Sequence, residues 1–171
     1  MISPDYARMM ARYNRWQNTS LYTAADTLSD AQRSEDRGAF FKSIYGTLCH
    51  LHWADSVWLA RLSGMASPVL KIAESVRFDG GWEALKPARR LLDQRIEDWA
   101  ASLTDEQVSG ELTWFSGTLQ RNFSGPRAEL VVHFFNHQTH HRGQVHALLT
   151  GFGARPDDTD LPFMAVRTGR A

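Results

Sequence analysis

A chain of 171 residues with 43% hydrophobic, 11% aromatic and 22% charged side chains can bury a substantial core in one domain spanning 1–171, which excludes a wholly disordered protein. Lys and Arg match Asp and Glu at 19 each, so bulk charge offers no pull toward nucleic-acid phosphates or anionic lipid. One cysteine, Cys49, excludes an internal disulfide, Asp5, Arg8, Arg12 and Arg15 stand where a secretory signal would be apolar, and no run reaches membrane-spanning length, so the expected location is the cytoplasm.

Ser3-Pro4 has the form of a helix start, a serine cap before a proline whose missing N–H costs nothing in the first turn. Tyr6, Met9, Met10, Tyr13, Trp16, Leu21, Ala24 and Leu28 then recur at helical spacing and predict a helix over 4–28. After Gly38, the residues Phe41, Ile44, Leu48, Leu51, Trp58 and Leu62 predict a second helix over 40–63, stopped by Gly64. Residues 64–81 hold Pro68, Asp79, Gly80 and Gly81 without a period, as a loop crossing from one end of a bundle to the other would. Leu85, Arg89, Leu92, Ile96, Trp99 and Leu103 mark a third helix. Ser116-Gly117, flanked by Leu112-Thr-Trp-Phe and Thr118-Leu-Gln-Arg-Asn-Phe, predicts a small hairpin or extended excursion. Gly125-Pro126 then opens a helix whose stripe is Leu130, Phe134, His137, His141, Val145 and Leu148, and Gly151, Gly153, Pro156 and Pro162 end it in an irregular tail. The fold class expected is all-α, an antiparallel four-helix bundle with that excursion before the last helix.

His137 and His141 lie four residues apart on the last stripe, so both imidazoles face the core and can grip one ion. A histidine pair in that register also occurs in cores as hydrogen-bonded residues, and a third donor separates the two readings. His50 supplies it, on a face with the small residues Ser43, Gly46, Thr47, Ala54 and Val57. His52 points about 200° away and is read as a surface or edge residue. His133 and His140 stay in reserve as ligands or supporting groups, and His146 is read as exposed. Three neutral imidazoles without a fourth protein ligand leave coordination positions open, as a catalytic rather than a structural metal requires. Zinc, nickel, iron or manganese all suit such donors, and the ion can activate either water or a thiol.

Cys49 diverges by about 100° from His50 and reads as a buried inert thiol. Asp55 reads as a solvated helix charge, Arg142 and Gln144 as surface residues, and Tyr13, Asn14, Trp16 and Asn18 as core and helix-contact residues.

Together, Tyr13-Asn-Arg-Trp-Gln-Asn18, the stretch from Gly38 to His50 leading into Trp58-Leu-Ala-Arg-Leu62, Asn136-His-Gln-Thr-His-His-Arg-Gly-Gln144 and the tail segment Thr159-Asp-Leu-Pro162 make the chain resemble the DinB-like family of metal-dependent proteins, grouped with YfiT-like metalloenzymes. The resemblance implies a four-helix bundle paired as a homodimer, with a divalent metal on His50, His137 and His141 and no catalytic residue assigned. It also implies a thiol-dependent transferase or isomerase that uses a low-molecular-weight thiol. Two alternatives stay open: a metal-dependent hydrolase, disfavoured because no Asp or Glu sits beside the histidine pair, and a non-catalytic dimeric, stress-related metal-binding protein. Neither nucleic acid nor a membrane is an expected partner.

Overall fold

A computed structural model describes residues 2–68, 71–117 and 119–169. The chain is mostly helical. Helix α1 (Pro4–Asp26) starts where Ser3 accepts a hydrogen bond from the Tyr6 N–H, and a short α2 (Asp30–Ser34) follows behind a capping box of Ser29 and Gln32. Helix α3 (Ile44–Ser63) starts four residues later than its periodicity suggests, because the Ser43 hydroxyl accepts from the Gly46 N–H and caps it there. Gly64, at φ 74°, ends it in the left-handed conformation.

After the loop come α4 (Gly81–Ser102), a short α5 (Asp105–Val108), strands β1 (Glu111–Ser116) and β2 (Arg121–Pro126), α6 (Arg127–Gly151) and a short α7 (Met164–Arg167). The two strands pair antiparallel from Glu111↔Pro126 to Ser116↔Arg121, so the expected excursion is a hairpin sheet and the chain is not strictly all-α. Thr118, within that excursion, lies outside the described residues. None of the described helices is long and apolar enough to cross a membrane.

The four long helices pack as α1 on α4, α3 on α6, α1 on α6 and α3 on α4. Their side chains bury two apolar clusters. One contains Ala7 and Ala11 of α1, Leu59 and Leu62 of α3, Ile96 and Trp99 of α4, and Val131, Phe134 and Phe135 of α6. The other contains Leu21 and Ala25, Ile44 and Leu48, Trp82 and Leu85, and Val145 and Leu149. The order in which each helix meets them shows that α1 and α6 run one way while α3 and α4 run the other. Neighbours are therefore antiparallel in two pairs and parallel in two, and the 64–80 connection must return from one end of the helices to the other.

Between the apolar clusters lies a layer of buried polar side chains. Arg89 donates to Asp55 at 2.7 Å and meets Asp93 at 2.8 Å. Asn14 and Asn18 donate to Asp93 at 3.1 and 2.8 Å, and Arg142 donates to Asn14 and Thr139. Two arginines and two aspartates cancel in charge, which is how such groups survive out of water. Asp55 and Arg142 are thus buried, against the surface readings their sequence context suggests, because each charge meets a partner on another helix.

The tail after α6 runs back along α1. Tyr13 donates to the Thr159 carbonyl at 2.7 Å, Trp16 to Asp157 at 3.1 Å and Gln17 to the Asp158 carbonyl at 2.7 Å. Asn14 and Asn18 are the core and helix-contact residues expected of them, whereas Tyr13 and Trp16 hold the tail against α1.

Candidate metal centre

Antiparallel packing of α3 on α6 sets His50 opposite His137 and His141. One ligand atom from each of the three lies within 4.8 Å of the others. The two α6 imidazoles approach closest, with Nε2 atoms 3.2 Å apart. Donors held about 2.0–2.1 Å from one tetrahedral ion stand about 3.3–3.4 Å apart, so the i, i+4 pair already has chelate spacing. His50 and His141 are buried and His137 is half-buried.

Hydrogen bonding on the far side of two rings decides which nitrogen is free. The Ser75 hydroxyl donates its only proton to the Ile72 carbonyl at 2.7 Å, so at its 2.9 Å contact with His50 it must accept from Nδ1–H. That leaves the His50 Nε2 lone pair bare. Gln144 Oε1, a pure acceptor, stands 2.9 Å from His141 Nδ1 and imposes the same tautomer, while the Gln144 amide nitrogen donates to His140 Nε2 at 3.2 Å. Both supports are absent from a helical-stripe argument. Ser75 lies in the aperiodic crossing loop, and Gln144, read from sequence as a surface residue, is half-buried against His141.

Electrostatics keep the cluster neutral. Burial, and then the neighbouring His141 and His137, push His50 down to about 3. Burial, followed by His141, His133 and His140, pushes His137 down to about 4. His141 is lowered by burial too, with Gln144 opposing. At pH 7 all three offer lone pairs rather than protons.

Phe41 closes the site from the α3 side, stacked on His50 with ring centroids 3.7 Å apart and tilted over His141 at 5.4 Å. Gly46 permits that closure, since a Cβ there would stand 2.5 Å from the Phe41 carbonyl oxygen. The space that small residues leave before His50 is therefore occupied by an aromatic ring. Trp53 borders His50 at 5.6 Å.

The other histidines separate from the cluster. His52 is half-buried edge-on to Phe78 at 5.1 Å, and burial pushes it down to about 4, an edge position away from the cluster. His146 is half-buried with its Nδ1 enclosed, a departure from the exposed reading. His133 touches both Trp58 and His137. Cys49 is buried and its thiol is pushed up to about 12, which leaves it protonated and inert.

The model of the DinB family matches residues 1–169. The chain belongs to the DinB family. It is also 24% identical over 170 residues to Protein DinB of Bacillus subtilis (strain 168), an alignment that covers 98% of this chain and 99% of that relative.

Proposed function

We propose that this DinB-family chain holds one divalent ion on His50, His137 and His141 within a four-helix bundle, and is an enzyme that activates a small thiol for S-transfer or isomerisation. The observation that carries the reading is the convergence of three neutral imidazoles, two with their Nδ1 protons already committed to Ser75 and Gln144. This donor set fits zinc, nickel, iron or manganese, and it includes no fourth protein ligand.

Bound there, a divalent ion would lower the pKa of a thiol and stabilise the thiolate at neutral pH. The chain's own contribution is positional. Ser75 and Gln144 hold two rings in the ligand tautomer, and burial under Phe41 keeps the imidazoles unprotonated and excludes water from one side of the cluster. Among the described residues no carboxylate belongs to the cluster, so the carboxylate base that attack by water would use is missing, which favours thiol transfer over hydrolysis.

The test uses cobalt-loaded protein titrated with small thiols, following the sulfur-to-metal charge-transfer band. The band should rise in the wild type and not in His141→Ala. Turnover of model esters or amides without any thiol signal would replace the reading with a hydrolase. Neither thiol binding nor turnover would leave a stress-related metal-binding protein without catalysis.

The same reading includes a homodimer. Phe40, Leu91, Phe115 and Val166 are all more than half exposed, and association would cover part of such surface. Light scattering at micromolar concentration checks it, with a monomer as the contrary result.

A further inference from the structure

Aromatic contacts continue from the histidine cluster toward the β-hairpin. His133, one helical turn before His137 and about 6 Å along the axis, has its ring centroid 5.8 Å from that histidine. Trp58 of α3 meets His133 edge-on at 4.7 Å and Trp114 of β1 at 5.8 Å. Over the face of Trp58, 4.7 Å from its centroid, lies the guanidinium of Arg61.

Arg61 is exceptional among the arginines of this protein. Every other buried or half-buried arginine among the described residues, namely Arg8, Arg15, Arg33, Arg89, Arg127 and Arg142, donates to a protein acceptor. Arg61 has the indole face alone, and burial shifts its pKa down with no acidic neighbour to offset the loss. Glu106 and Glu111 line the same 820 Å³ cleft without pairing with it. A guanidinium half-removed from water loses part of its solvation, which an oxyanion taking its donors would restore, and its planar fork matches a carboxylate in two parallel hydrogen bonds.

We propose that Arg61, held flat on Trp58 beside His133, binds a carboxylate of the substrate whose reacting end lies at the three-histidine cluster. The substrate class is therefore an anionic small molecule, a thiol acid or an electrophile bearing a carboxylate several bonds from the reacting atom. This inference rests on the metal-centred reading above, and its test separates the two.

In the first experiment, cobalt-loaded protein is titrated with ω-mercaptoalkanoates of increasing chain length and with the ω-mercaptoalkanols of matching length, and the charge-transfer band is followed. The wild type should prefer the acid over the alcohol by about tenfold at one optimal length. Arg61→Gln should bring that ratio to about one, and the exposed Arg90→Gln control should keep it. A ratio unaffected by Arg61→Gln, or no preference in the wild type, overturns the proposal.

A second experiment does not depend on thiol chemistry. Metal-free protein is titrated with succinate and with neutral succinamide while tryptophan fluorescence is followed. Saturable quenching by succinate alone, lost in Arg61→Gln, supports the carboxylate site even if no thiol binds the cobalt protein. Equal responses in the wild type and the variant overturn it.

Discussion

The histidine cluster and the buried ionic layer occupy neighbouring positions on the same helices: His137 precedes Gln138, His141 precedes Arg142, and His50 stands five residues before Asp55. Both are polar groups removed from water, yet they are balanced differently. In the layer each formal charge meets an opposite charge or an amide on another helix. In the cluster three imidazoles face one another with no counter-charge between them, and the only polar contact among them is the 3.2 Å approach of the His137 and His141 Nε2 atoms. The first arrangement is satisfied by the fold itself, and the second has the donors with which an ion could be held. Gln138 lies beside Asp55 without a well-aligned hydrogen bond, and the side-chain oxygen of Asn18 and the Nε of Arg89 also mark where the layer is looser.

This contrast breaks most readily at Arg89. Replacing it with methionine leaves the buried Asp55 and Asp93 without their cation and should cost about 3–5 kcal/mol in denaturant unfolding, with metal affinity changed only as far as the fold is lost. A loss under about 1 kcal/mol would show that the layer is not structural. The opposite pattern is expected of His137→Ala: tight metal binding disappears, while the metal-free protein keeps its stability within about 1 kcal/mol, because this side chain is half-buried and supports no charge pair. His52→Ala and His146→Ala should retain the ion.

A smaller effect sharpens the comparison. Ser75→Ala removes the acceptor that fixes the His50 tautomer, and zinc affinity by calorimetric titration should fall about 10- to 100-fold. Nitrogen chemical shifts of the His50 ring should at the same time report growth of the Nε2–H tautomer. Unchanged affinity and shifts would remove Ser75 from the site.

Acidity yields the mildest test. His50 and His137 bind protons less readily folded, at about 3 and about 4, than at the ordinary value of 6.5. The stabilisation tied to their neutral forms is complete above pH 6.5 and lost as pH falls toward those folded values. Asp55, raised from 3.8 to about 6, acts in the opposite sense, its contribution lost as pH rises through about 6. Asp93, also raised by burial, acts with Asp55, and His52, pushed down to about 4, acts with His50 and His137. The three histidines outweigh the two carboxyls, so the unfolding midpoint of metal-free protein should drop between pH 6.5 and 4, and His137→Ala should flatten that slope. A flat profile in the wild type would mean that the imidazoles are solvated.

What could be read in the sequence was local. The i, i+4 spacing of His137 and His141, the Ser3-Pro4 start and the Gly64 stop are short-range signals, and they place α1, α3 and α6 to within a few residues. His50 was legible because its helix face carries small residues. The ionic layer was not, since the partners of Asp55 and Arg142 are 34 and 128 residues away and a single charge on a helix has no local signature of burial. Ser75 escaped because a loop without a period gives no direction to its side chains, and Phe41 because its approach depends on the absent Cβ of Gly46. The hairpin was visible through Ser116-Gly117 and its flanking aromatic residues.

The most direct measurement is the metal content of untagged protein after exhaustive dialysis, taken by elemental analysis beside His50→Ala, His137→Ala and His141→Ala. The account predicts about one divalent ion per chain in the wild type and none retained by any of the three variants. A wild type that retains no ion, or variants that retain as much as the wild type, would contradict it.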